Sequence, residues 1–203
     1  MILEFLQGLS VLLLAVVVHE CAHGFVADKL GDPTARLSGR LTLNPIKHID
    51  PIGSILLPFI MTKMGFYPFG WAKPVPVNFR NLRNPKRDMM LVALAGPGIN
   101  LVMAGVLSLF LHLPLPHFLF RFIESAIMIN LALAVFNMLP VPPLDGSRIL
   151  MGLLPDSLGR LYSQLEPFGI IIVIFLLNFN ALGFIWDGVE FLAHLLGIPI
   201  RII

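Results

Sequence analysis

His19-Glu20-Cys21-Ala22-His23 sets two imidazoles four residues apart, with a carboxylate directly after the first. On a helix, positions i and i+4 share a face, so both rings can reach one metal ion. That pairing suits a single zinc per chain, and Glu20 then stands where a general base must, beside a water at the metal. The plain alternative is a helix end whose histidines simply face water. A catalytic zinc takes three protein ligands and keeps a fourth position open, so a third donor must come from elsewhere. Asp145 fits. It follows Asn137-Met138-Leu139-Pro140-Val141-Pro142-Pro143-Leu144, where three prolines in four positions cannot continue a helix. The other reading of Asp145 is an N-cap or turn aspartate at the start of a loop. Asn137 offers an amide that could hold a substrate carbonyl or a developing oxyanion. It could equally make an interhelical hydrogen bond. Asn100 has the same chemistry in a weaker position.

The elements that must position these residues are membrane helices. Of the 203 residues, 57% are hydrophobic and only 13% charged, against about 25% charged in soluble domains. The mean hydropathy is +0.86. A net charge of +2 is far too small for a phosphate-binding surface, so a nucleic-acid partner is excluded. The single cysteine, Cys21, excludes a disulfide framework within the chain. Runs free of Asp, Glu, Lys and Arg mark the bilayer: 5–18, 51–62, 89–120, 125–144 and 167–186. A crossing needs about 20 largely apolar residues. The first run reaches that length only if its helix continues through His19–His23 to about Leu30, carrying polar residues into the membrane. The 51–62 run is too short for a comfortable span and reads as re-entrant or interfacial. The N-terminal segment lacks a basic n-region and a small-residue cleavage site, so it reads as a retained helix.

Ten of the fourteen Lys and Arg lie between Lys29 and Arg87, on both sides of the 51–62 run. Basic loops face the cytoplasm. The C-terminal half of the first helix and the end of the 118–139 helix then lie at similar depth, near the cytoplasmic face. Two stretches read as strand. Residues 34–44 alternate apolar and polar around Ser38-Gly39, a hairpin signal. Trp71 to Asn78 alternates prolines with other residues, which fits an extended edge segment able to receive a substrate strand; the equal alternative is that both stretches are plain interfacial connectors. Residues 187–203 read as an amphipathic tail or a shallow helix. The expected fold is a polytopic α-helical membrane protein. It has about four spanning helices, a short re-entrant segment and a small membrane-associated β element. These form a single domain over 1–203, with a core at about 10–155 and a C-terminal helix and tail at 167–203.

H-E-x-x-H in an early helix with N-x-x-P-x-x-P-x-D-G in a later one resembles the site-2 protease family of intramembrane zinc metalloproteases. Asn137, Pro140, Pro143, Asp145 and Gly146 match the second motif position by position. Ala95-Gly96-Pro97-Gly98-Ile99-Asn100 resembles the family's feature on the intervening helix. Gly70-Trp71-Ala72-Lys73-Pro74-Val75-Pro76-Val77-Asn78 resembles the small bacterial and archaeal branch, which carries no PDZ domain. The resemblance covers about residues 10–155. It implies zinc on His19, His23 and Asp145, with Glu20 activating water for peptide hydrolysis inside the membrane. It further implies transmembrane segments of other proteins as substrates, a plasma-membrane location and a site near the cytoplasmic face.

Two other readings compete. A metal transporter would string its ligands through the bilayer depth, whereas the ligand types here cluster at one end. A silent zinc-binding or chaperone-like protein would have no need of Glu20. His48, His112, His117 and His194 have no part in the site, and Cys21 reads as a small apolar filler. Gly96 and Gly98 read as sites of close helix packing. Oligomeric state is not encoded in any of these features.

Overall fold

The computed structural model describes residues 2–66, 69–179 and 183–198. Its first helix, α1 (Ile2–Leu30), carries the H-E-x-x-H segment far into one apolar rod. Four helical stretches are long and apolar enough to cross a membrane: Gln7–Leu30, Pro85–Phe110, His117–Asn137 and Asp156–Asn178. The second and third are the helices α4 (Pro85–Phe110) and α5 (His117–Asn137), joined by a short turn and therefore antiparallel. Leu9, Leu14, Val102, Leu109 and Phe118 are exposed on these helices, as expected where hydrocarbon rather than water is the solvent.

Between α1 and α4 lie the short helices α2 (Thr34–Leu37) and α3 (Leu57–Lys63), with a π-helical turn at Pro51–Leu56 leading into α3. The 51–62 run thus folds as a short helical element. It is too brief to cross about 30 Å of hydrocarbon. After α5 come α6 (Asp145–Leu153), α7 (Asp156–Ser163), α8 (Gly169–Asn178) and α9 (Phe184–Leu195).

The structure departs from the sequence reading in three places. Among the described residues no strand forms. Residues 34–37 make a helical turn instead, preceded by a turn in which Asp32 Oδ1 accepts from the Thr34 N–H and hydroxyl. The apolar residues that suggested a strand face are mostly outside it: only Ala35 is buried, while Leu37 and Leu43 are exposed. Segment 71–78 pairs with no strand, since Pro74 and Pro76 have no N–H to give a ladder. Finally, 167–186 is not one helix. The fourth candidate span starts earlier, at Asp156, and ends at Asn178. Past it, α9 returns to pack Ile185, Val189 and Ala193 against Ile123, Ile127 and Leu131 of α5. Of the expected tail, 199–203 lies outside the described residues.

Segment 69–78 is held from both sides. The Trp71 N–H donates to Gly53 O (3.2 Å) and the Lys73 N–H to His48 O (2.8 Å). Ser54 Oγ donates to Trp71 O (2.9 Å) and Arg40 to Lys73 O (2.8 Å). At its far end the buried Asp32 carboxylate accepts from the Asn78 N–H (2.6 Å) and from Asn81 Nδ2 (2.8 Å). Val77 and Phe79 then pack with Ala27, Leu82 and Val92, which ties this strap to the ends of α1 and α4.

Candidate metal centre

His19 and His23 lie one turn apart on α1 and face α4. His23 Nδ1 meets the Val92 carbonyl at 2.7 Å, and His19 Nδ1 meets Asn100 Oδ1 at 2.6 Å. The later histidine contacts the earlier residue of α4, so the two helices run antiparallel. Both partners are oxygens that accept, which places the proton of each ring on Nδ1 and leaves each Nε2 with a bare lone pair. Those two Nε2 atoms are 3.0 Å apart. Asp145, the first residue of α6, does not cap its helix. Its Oδ2 lies 3.1 Å from His19 Nε2 and its Oδ1 3.3 Å from His23 Nε2. Asp145 Oδ2 is buried without a hydrogen-bond donor.

Three lone-pair-bearing groups aimed at one point repel unless a cation lies between them. The donor separations of 3.0, 3.1 and 3.3 Å approach the ~3.3 Å edges of a tetrahedron with ~2.0 Å bonds, the geometry of zinc with nitrogen and oxygen ligands. The residues fit zinc. Among the described residues these three form the one cluster able to hold a metal ion.

A cavity of about 390 Å³ opens beside the cluster, lined by Glu20, Val75, Phe79, Asn137, Pro143 and Arg148 among others. Glu20 Oε2 accepts from the Val75 N–H at 2.8 Å. Asn137 lines the same cavity and gives one of its two Nδ2 hydrogens to Leu133 O (3.0 Å). Asn100 is elsewhere. It is fully buried behind His19 and does not line the cavity, and its Nδ2 donates to Asn130 Oδ1 at 2.8 Å. Gly96 brings α4 against the histidines: a Cβ there would lie 2.5 Å from both Nε2 atoms. At Gly98, by contrast, nothing lies within 4 Å.

Three further residues border the cavity or support its surroundings and carried no clear signal. Arg148 borders the cavity one turn after Asp145, gripped by Glu166 and stacked 5.6 Å from the Phe79 ring centroid. Its spacing from Asp145 on a helix was the available clue. Asn130 supports Asn100 from α5. The amide of Val75 acts through the backbone, which no side-chain pattern advertises.

Two histidines on an apolar helix, an aspartate at the head of the short helix α6 and a cavity-facing glutamate, gathered at one point, define a metallohydrolase type of centre in a multi-pass helical protein. Residues 114–180 match the model of Peptidase family M50. The chain is 42% identical over 175 residues to "Putative zinc metalloprotease YwhC" of Bacillus subtilis, covering 81% of this chain and 77% of that protein. It is 31% identical over 176 residues to "Putative zinc metalloprotease Rip2" of Mycolicibacterium smegmatis, covering 84% and 66%. It is 28% identical over 155 residues to "Zinc metalloprotease MJ0392" of Methanocaldococcus jannaschii, covering 75% and 35%. No solved structure matches. The chain belongs to peptidase family M50, the site-2 protease family.

Proposed function

We propose that this multi-pass membrane metallopeptidase is one membrane-embedded domain over 1–203, holding one zinc and cleaving peptide bonds within transmembrane segments of other membrane proteins. The observation that carries this reading is the convergence of His19 Nε2, His23 Nε2 and the Asp145 carboxylate at the edge of a cavity that Glu20 also faces. His19, His23 and Asp145 are the ligands. Zinc, when bound, supplies a Lewis acid that polarises the scissile carbonyl and makes water acidic enough to lose a proton near neutral pH.

The remaining chemistry falls to the protein's own groups. With Oε2 held by the Val75 N–H, Glu20 has Oε1 free to accept a proton from the attacking water and pass it to the departing amide nitrogen. Asn137 keeps a second N–H for the substrate carbonyl as negative charge develops there. Asn100 serves as a support behind His19 rather than as a substrate contact. The strap lines the cavity, so a substrate entering it touches Pro74–Phe79. Pro74 and Pro76 can only accept along that edge, so strand addition there is one-sided.

The basic loops between Lys29 and Arg87 support a site near the cytoplasmic face, and the resemblance to the small bacterial and archaeal branch supports the plasma membrane as its location. Element 51–63, with Ile52, Ile55, Phe59 and Ile60 exposed, lies in the same leaflet as a re-entrant or interfacial piece. A transport path is disfavoured because all the donors share one depth.

The test uses purified protein in detergent, wild type and Glu20→Gln, against a panel of single-pass membrane segments, with zinc content measured in parallel. Cleavage by wild type alone, with about one zinc in each protein, is the expected result. Zinc absent from folded wild type would overturn the site.

A further inference from the structure

Asn130 sits mid-way along α5, 3% exposed, outside the cavity and in contact with no proposed ligand. An amide buried among apolar side chains costs about 1–3 kcal/mol unless its hydrogen bonds are made, and here they are made in one direction only. The Ala126 carbonyl can only accept, so it fixes Asn130 Nδ2 as the donor toward it (2.8 Å). That turns Asn130 Oδ1 toward α4, where it accepts from Asn100 Nδ2 (2.8 Å). Asn100 Oδ1 is thereby turned to α1, where only an N–H on His19 Nδ1 can satisfy it (2.6 Å). The two histidines therefore obtain the same tautomer by different means. His23 reads a backbone carbonyl directly, that of Val92. His19 has no such neighbour and reads the Ala126 carbonyl of α5 through two asparagines on two helices.

We infer that Asn130 is a positioning residue for the metal centre, setting the tautomer and ring orientation of His19 through Asn100 and thereby the affinity for zinc. This rests on the reading that His19 is a zinc ligand. Without Asn130 Oδ1, the Asn100 amide is free to turn its NH2 toward His19. The imidazole then carries its proton on Nε2, where it blocks the ligand lone pair. Losing a group that orients a ligand costs about 10- to 100-fold in metal affinity.

The experiment measures zinc affinity by chelator competition on the full chain in detergent, for wild type, Asn130→Leu and Asn130→Asp. Ser108→Ala is a packing control, a buried α4 hydroxyl bonded only to Gly105 O in its own helix. Asn130→Leu should bind zinc about 10- to 100-fold more weakly. Asn130→Asp should recover most of the loss, because a carboxyl kept neutral by burial donates to Ala126 O and accepts from Asn100 as asparagine does. Ser108→Ala should bind zinc like wild type. The imidazole 15N spectrum of the zinc-free protein should show His19 protonated on Nδ1 in wild type and Asn130→Asp, and a tautomer mixture in Asn130→Leu. Should Asn130→Leu not fold, Asn130→Ser takes its place: its hydroxyl turns back to Ala126 O and leaves Asn100 unanchored. Unchanged zinc affinity and an unchanged His19 tautomer in the folded variant would overturn the inference. Failure of wild type to bind zinc would instead overturn the metal site itself.

Discussion

The Val75 N–H donates to Glu20 Oε2 at 2.8 Å, from a strap that lines the cavity beside the metal ligands. Within 74–76 it is the one N–H available, because prolines flank it on both sides. A backbone donor on a tethered strap holds a carboxylate in one rotamer more firmly than water can, and it settles which oxygen remains free for proton transfer.

Gly24 makes this contact possible. It lies one turn beyond Glu20, and a Cβ there would come within 2.7 Å of Val75 Cγ1 and Leu41 Cδ2. Gly24→Val should lift the strap and break the bond to Glu20. A hydrogen bond to a charged group contributes about 1.5–3 kcal/mol, so kcat should fall about 10- to 100-fold while zinc stays at one per chain. A rise in kcat would mean that the strap obstructs the site rather than organising it.

Two glycines on α4 should behave oppositely. Gly96→Ala drives a methyl to within 2.5 Å of both ligand nitrogens and should weaken zinc binding by about 100-fold, the upper end for losses at supporting positions. Gly98→Ala meets nothing within 4 Å. It should leave zinc unchanged and add about 0.5–1 kcal/mol of stability by removing helix-interior glycine. Zinc titration and thermal melts of the pair check both halves, and equal zinc affinity in the two variants would refute the packing read at Gly96.

What the sequence disclosed of this site follows the range of each interaction. His19 and His23 are legible because i, i+4 geometry is local to one helix. Asp145 became legible once run lengths and basic loops put the ends of two helices at one depth. Asn130 was not, since a lone asparagine in an apolar helix looks the same whether it glues helices or orients a ligand. Its role exists only through Asn100, thirty residues away on another helix. The strap announced itself through alternating prolines, but it pairs with no strand: its Val75 N–H goes to the Glu20 side chain and its Trp71 and Lys73 N–H groups to single carbonyls of Gly53 and His48. At 34–44 the alternation misled, because it says nothing of the Asp32–Thr34 turn that leads into a helical turn at Thr34. Hydropathy alone likewise joined α8 to α9 across a break after Asn178.

Asp32 gives the stability of the zinc-free protein an acid limb. Burial pushes its carboxyl up, but hydrogen bonds from Thr34, Asn81 and Asn78 outweigh this and hold it below the ordinary carboxylate value. A depressed folded-state pKa contributes stability that is complete above the unfolded value of about 3.9 and is lost as pH falls through the folded one. Asp32→Asn should therefore cost about 2 kcal/mol at pH 7. The gap between mutant and wild type should close below about pH 4. Melts with chelator present, which keeps histidine ligation out of the comparison, would expose a pH-independent gap and so refute this account.

Zinc should stabilise the fold as well as arm it. His19 Nε2 and His23 Nε2 on α1 lie 3.0–3.3 Å from one another and from the Asp145 carboxylate on α6, so a zinc held by all three would cross-link the two helices. A ligand bound only by the folded state at 100 times its Kd adds about 2.7 kcal/mol. For a chain of this length that is a rise of roughly 5–10 °C in Tm. Wild type melted with zinc and with chelator should show that rise, and Gly96→Ala, with its methyl against the ligand nitrogens, should keep only about 0.4 kcal/mol of it at the same zinc concentration. A wild-type melt that ignores zinc would mean these three side chains are held together by a shared proton rather than by a metal.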